Sequence, residues 1–338
     1  MLNMFPFLVD AGFDPHVIFE PEIETRRPDV TGVAPLVKDS GFQIVVFQKV
    51  HGRSAEALAR EISGGRTKTV YMVCDVVDIP MVEAADATIA VTNFLKSLYP
   101  PHLHHKIHVV HDGIERADAH KTSWSDSRGS PRRPLNAVLI TSFNLNSLPL
   151  LRTTPDWLNI SIVGRYPPEN QPFQRLRTAM WSLAGQRSAR ERLAYLRFLA
   201  DRRIQRIAWS PSRVYEAVRR ADIGIIPVDT SNEEADEGGP PYWQVKSENR
   251  LTLMMSAGLP VIATPIPSYE SVITHGENGL FARSLEDWRF HLEALRDPGY
   301  RRELGEQARA SVMERYSMEQ QARLLIAALR TVLPDAPG

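Results

Sequence analysis

Between positions 43 and 264, short runs of β-branched residues alternate with stretches in which apolar residues recur at helical spacing. This alternation constrains the fold more than any other feature, because it is the pattern of βα units feeding parallel sheets. Strands are expected at 17–19, 43–47, 69–73, 88–91 and 107–110, then at 137–141, 159–163, 204–209, 223–228 and 260–264. Residues 54–62 carry Ala55, Leu58, Ala59 and Ile62 on one helical face, and Thr92 is placed to cap a short helix through 98. Further helices are expected at 2–12, 172–199 in one or two pieces, 212–220, 248–257, 285–295, 301–316 and 318–333. Between 115 and 134 the chain collects Ser, Asp, Arg, His and Pro with no apolar period. The organisation expected is therefore a first α/β domain over 1–116, a linker over 117–134, a second α/β domain over 135–317 and a closing helix over 318–338.

A chain of 338 residues has room for two such domains. Lys plus Arg equals Asp plus Glu at 40 each, so no overall basic field exists to hold nucleic acid. The single cysteine, Cys74, excludes an intramolecular disulfide and a Cys-rich zinc site and fits a reducing compartment. No apolar run approaches the roughly 18 residues of a membrane span, and residues 1–9 are too short for a secretory signal. A cytoplasmic protein is expected. The helix at 2–12 precedes any strong strand, so the first domain lacks its usual opening strand and glycine loop, or begins upstream of Met1.

Chemistry concentrates in residues 221–281. A buried run, Ile223 to Pro227, leads into an acidic Gly/Pro loop, and a helix begins near Ser247. In open parallel sheets, ligands sit beyond the carboxyl ends of the strands, where helix N-termini present free N–H groups to anions. Lys246 and Arg250 add cationic donors suited to a diphosphate, with Ser247 and Asn249 beside them.

Lys246, Asn249, Arg250 and Leu251, followed by Ala257-Gly258-Leu259-Pro260-Val261-Ile262-Ala263, resemble the nucleotide-sugar half of family-4-type glycosyltransferases of the GT-B fold. Glu277-Asn278-Gly279-Leu280-Phe281 is similar to the family's Asn-Gly-Leu turn. Ala85-Asp86-Ala87 and His111-Asp112-Gly113-Ile114 are looser echoes in the first domain. The resemblance implies an α/β GT-B architecture, two Rossmann-like domains facing across a cleft, with the donor on the second. It also implies transfer of a sugar from a nucleoside-diphosphate sugar to an acceptor hydroxyl, without a metal or other cofactor and with retention of configuration. The acceptor, whether glycan, lipid-linked or protein, is not specified. Three departures accompany it. Leu253 stands where the family places a glutamate, the loop after residue 141 reads Ser142-Phe143-Asn144 instead of Gly-Arg, and the opening strand is missing. These motivate two alternatives: a non-catalytic accessory subunit that needs a partner chain, and a sugar-nucleotide epimerase.

On this reading Ser142, Asn144 and Arg165 join the donor phosphates or sugar, and Trp209 and Ser210 flank the base. In the first domain Asp75, Asp78 and His51 follow strand ends and are candidates for work on the acceptor hydroxyl. Each has a plainer reading, Asx turns for the two aspartates and a solvated loop for the histidine. His102, His104, His105, His108 and His111 cluster in sequence, but without an adjoining Cys or Glu they are read as structural and not as a metal site. Between Arg152 and Arg206 eleven arginines face four acidic residues. That surface either meets anionic lipid or a pyrophosphate-bearing acceptor, which would make the protein peripheral at the inner face of a membrane, or is a solvated helix face. Walker A, His-Glu-x-x-His, Gly-x-Ser-x-Gly, Gly-x-Gly-x-x-Gly and Asp-x-Asp patterns are all absent.

Overall fold

The structure is a computed structural model that describes residues 2–21, 27–142, 145, 154–231, 233–235 and 239–333. It divides into two compact units. One comprises Met1–Glu115, Thr230–Asn249 and Arg315–Gly338, and the other Arg116–Asp229 and Arg250–Glu314.

The first unit is built on a four-stranded sheet, β1 (Ile44–Gln48), β2 (Lys68–Val73), β3 (Ala87–Ala90) and β4 (Ile107–Val109), in that spatial order. All its pairs are parallel, with Val45 opposite Thr69, Val70 opposite Ala87 and Thr88 opposite Ile107. Alternate residues serve opposite faces, as the period of two requires. Val45, Phe47, Tyr71 and Val73 pack with Ala55, Leu58 and Ala59 of the Arg53–Ile62 helix and with Met81 and Val82 of the Ile79–Ala84 helix. Val70 and Ile89 pack instead with Leu8 of the Phe5–Asp10 helix and Leu325 and Leu329 of the Met318–Val332 helix. Residues 17–19 form no strand. Pro15 and Pro21 bracket the run and remove backbone donors, so Ile18 and Phe19 pack on the core as loop side chains. The first part of the histidine-rich stretch is not extended either, whereas His108 lies in β4. Pro101–Lys106 is a 3-10 helix in which His104 and His105 bond the carbonyls of Tyr99 and His102.

The second unit holds a six-stranded parallel sheet, β5 (Leu135–Ile140), β6 (Leu158–Gly164), β7 (Ile204–Ala208), β8 (Ile223–Ile226), β9 (Val261–Ala263) and β10 (Leu280–Phe281). Its order is β10-β9-β8-β5-β6-β7, the dinucleotide-fold order, which reverses direction between β5 and β8. β10 has only two residues, too few for a period to show in sequence. The expected 172–199 helix is two, Pro172–Ala184 and Ala189–Ala200, the second capped by Ser188, whose side chain accepts from the Glu191 N–H. Gly258 ends the Asn249–Ser256 helix at φ +81°, and a Cβ on Gly305 would lie 2.3 Å from its carbonyl oxygen. Glycine is needed on both sides of that contact, once for conformation and once for space.

Residues 116–134 carry no helix or strand, yet they are pinned along the second unit. The Lys121 N–H donates to the Ala257 carbonyl, and Arg296 donates to the carbonyls of Arg128 and Gly129. The buried Arg301 donates to Ser125 and Ser127. Among the described residues no helix is long and apolar enough to cross a membrane.

Candidate active site

In the first unit the carboxyl ends of the four strands surround a cavity of about 120 Å³. Its polar lining includes Lys49 after β1, Cys74 after β2, His111 and Asp112 after β4, and Asn249. Lys49 is in the left-handed region at φ 56°, unusual for a residue with a Cβ. Such a conformation persists only where the surroundings hold it, and here the Lys49 N–H donates to the Met72 carbonyl at 2.9 Å. Burial works against its charge, but interactions with Cys74, Asp75 and Asp112 outweigh this and hold the ammonium pKa above the usual lysine value. The Cys74 thiol is pushed up to about 12, chiefly by burial and then by the Asp75 carboxylate, 3.1 Å from its sulfur. It therefore stays protonated at neutral pH and is no nucleophile.

His111 is the best-positioned group at this cavity. Its Nδ1 lies 2.5 Å from Oε1 of Glu248, its backbone N–H donates to Gln321 Oε1 at 2.8 Å, and its ring meets Tyr316 edge-on at 5.0 Å. Glu248 is fully buried. A carboxylate on Nδ1 orients the imidazole and, in its neutral form, leaves Nε2 as the proton acceptor. The turn that follows is closely packed, and a Cβ on Gly113 would lie 3.0 Å from the Met318 sulfur. Sequence reasoning missed Lys49 and the His111–Glu248 pair. No local signal could have found the pair, because its members are 137 positions apart.

The three first-domain candidates fall elsewhere. Asp75 accepts from Cys74, while His51 and Asp78 form their own buried pair at 2.8 Å (His51 Nδ1 to Asp78 Oδ2). Asp78 also caps the Ile79–Ala84 helix, accepting from the Met81 N–H at 2.9 Å. Burial alone would raise its pKa, but the bonds from His51 and Met81 win and hold it below the ordinary carboxylate value. The sign of the pH effect follows. A lowered folded-state pKa contributes stability that is complete above the unfolded value near 3.8 and is lost as pH falls through the folded one. Asp78→Ala is expected to cost about 1–2 kcal/mol at pH 7. The gap to the parent, measured by urea unfolding, should narrow steadily below pH 4. A gap unchanged at pH 2.5 would remove the charged cap.

In the second unit the reversal between β5 and β8 opens the sheet where ligands of such folds sit. Ser142 follows β5 there, and its Oγ accepts from Arg250 Nη2 at 2.6 Å. Arg250 stands in the first turn of the Asn249–Ser256 helix, so a guanidinium, a hydroxyl and a helix N-terminus belong to one place. Leu253 is half-buried within that helix, while Lys246 and Ser247, which precede it in sequence, are half-buried and belong to the first unit. Arg165 is exposed after β6, and Trp209, after β7, is 56% exposed. Ser210 caps the Pro211–Arg220 helix through the Arg213 N–H. Asn144 lies outside the described residues. Among the described residues no three His, Cys, Asp or Glu side chains converge as metal ligands.

Two family models match the chain, one described as glycosyl transferase-like over residues 171–327 and one as glycosyl transferase family 4 group over residues 51–118. The chain carries glycosyltransferase domains of the family 4 and group 1 type. Comparison with curated protein sequences finds no match. Among solved structures these glycosyltransferase domains are similar to Anabaena HepE in complex with UDP-glucose, at 14% identity and a TM-score of 0.63, covering 92% of this chain and 86% of that one. A glycosyltransferase from Rickettsia africae matches at 13% identity and a TM-score of 0.62, covering 98% and 88%. The lipopolysaccharide outer core galactosyltransferase WaaB in its apo form matches at 14% and 0.55, covering 90% and 79%. The fold is that of the GT-B glycosyltransferases.

Proposed function

We propose that the protein transfers a sugar from a nucleoside-diphosphate sugar to an acceptor hydroxyl, with the donor on the second unit and the acceptor on the first. The observation that carries this reading is the Arg250–Ser142 bond at the start of the Asn249–Ser256 helix, beside the reversal of a dinucleotide-fold sheet. A departing diphosphate gains negative charge in the transition state, and the Arg250 guanidinium and the helix N–H groups beside it are suited to receive that charge without a metal. The UDP-glucose complex of HepE supports a donor of this class. In the first unit, the Lys49 ammonium is suited to orient the acceptor hydroxyl and His111, backed by Glu248, to take up its proton. Retention of configuration and transfer of a hexose complete the proposal.

A thermal-shift titration with UDP, GDP, ADP and dTDP, then their sugar conjugates, tests it. A nucleotide at 100 times its Kd adds roughly 2.7 kcal/mol of stability. A base-selective rise in midpoint of several degrees is the expected result. A well-folded sample that responds to none of them would favour the accessory-subunit reading, which Leu253 motivates. Conversion of one UDP-sugar into another without an acceptor would favour the epimerase.

A further inference from the structure

The two helices between β6 and β7 are amphipathic in the wrong sense for a helix that serves only its own core. In Pro172–Ala184 no residue is buried. Phe173, Leu176, Met180 and Trp181 are 88%, 60%, 61% and 76% exposed, and at 100° per residue they fall on one outward face. The inward positions are Arg175, Thr178, Ala179, Ser182 and Leu183, with Arg175 donating to the Pro167 and Arg206 carbonyls and to Glu169. The Ala189–Ala200 helix sends Tyr195 and Phe198 into the core and leaves Leu193 and Leu196 about half exposed on the opposite face. Large apolar side chains grouped on an outer face mark an interaction surface, whereas scattered ones do not.

The charges around this face identify its occupant. Arg177, Arg187, Arg190, Arg192, Arg197 and Arg202 are all exposed, while 171–203 contains only two acidic residues, Glu191 and Asp201. An apolar stripe bearing Trp and Phe, with Arg177 among its side chains and further exposed arginines on the segment and helix that follow, their stems able to lie along apolar surface while their heads reach outward, is the pattern of a helix seated in a bilayer interface. We propose that the helix pair 172–200 docks the second unit on an anionic lipid bilayer. The stripe enters the headgroup boundary, and the arginines meet lipid phosphates.

Co-sedimentation with vesicles of equal parts phosphatidylglycerol and phosphatidylcholine, against pure phosphatidylcholine, tests this on the full chain. The parent should bind the anionic vesicles at least tenfold more strongly than the neutral ones and lose most of that preference in 0.5 M salt. The double substitution Phe173→Ser with Trp181→Ser should weaken binding at least tenfold, as should the triple Arg190→Gln, Arg192→Gln and Arg197→Gln. Because these side chains are exposed, the thermal midpoint should stay within about 2 °C of the parent. Quenching by brominated lipid should fall when Trp181 is replaced by Phe. No binding of the parent to anionic vesicles, or equal binding by the variants, overturns the proposal. So does a dimer in sedimentation equilibrium that the Phe173→Ser, Trp181→Ser chain loses without any vesicle binding by the parent, since the face would then belong to a second copy.

Discussion

Replacing Arg301 by Met should destabilise the second unit by about 3–5 kcal/mol, a large part of the 5–15 kcal/mol typical of a whole domain. Arg301 is wholly buried in the first turn of the Pro298–Met313 helix. Nη1 donates to the Leu295 and Arg296 carbonyls at 2.7 and 3.3 Å, and Nη2 to the Ser125 and Ser127 carbonyls at 2.5 and 2.9 Å. Burial draws its pKa below the ordinary arginine value, with Asp222, Asp297 and Asp126 opposing that pull. Met fills much of the volume but leaves four carbonyl groups without these donors. Urea unfolding should show the loss, and proteolysis should cut first within 116–134, the segment the guanidinium holds. Arg301→Lys should fall between parent and Met, because an ammonium cannot span both pairs of carbonyls. A loss under 1 kcal/mol for Met would mean that water replaces the guanidinium at no cost.

Arg250→Ala is expected to lower kcat/KM by 10²–10³, equivalent to about 2.7–4 kcal/mol, the range for removing one preorganised donor to a developing anion. The effect should fall mainly on kcat, since the charge to be neutralised grows in the transition state. Arg250→Lys should recover only part of it, because a point charge does not reproduce a planar fork that can bond Ser142 and still present donors to a phosphate. Ser142→Ala should cost less than Arg250→Ala, as it removes a partner that orients the guanidinium and leaves the charge in place. Single-turnover rates with a radiolabelled donor would separate these variants. Turnover of Arg250→Ala at the parent rate would detach the Ser142–Arg250 bond from catalysis and leave Lys246 as the cation to test.

The segment spanning Lys246 to Phe281 shows how a sequence motif combines several separate demands. Arg250 reaches a polar partner, Ser142, at the sheet reversal. Gly258 is there for its positive φ, and Asn278 for a turn it closes from inside. Asn278 Oδ1 accepts from the Thr274 N–H, and Nδ2 donates to the Val272 carbonyl and to Ser311. Gly279 leaves room for Ile273, which a Cβ would meet at 3.0 Å. Half of the motif is thus backbone architecture, which accounts for its strength as an indicator of fold and its silence about the sugar.

What the sequence determined by itself was local. The Thr92 cap on Leu95, the Gly258 stop and the amphipathic 54–62 helix rest on interactions within a few residues, and the strand cores from Ile44 to Ala263 show as short β-branched runs although their pairing partners lie far along the chain. Propensity, periodicity and capping can be read there directly. Tertiary structure decided the rest. It paired His111 with Glu248 across 137 positions, placed Thr230–Asn249 with the first unit and buried Val245 in that unit's core. It gave Lys49 its left-handed backbone at the cavity and withdrew His51 into a bond with Asp78. It also chose which face of the 172–184 helix would be inside. The apolar period there was legible, but a period states only that two faces differ. Which face is buried depends on what the neighbouring elements offer, and here Thr178, Ser182 and Arg175 turn inward while Phe173 and Trp181 remain exposed.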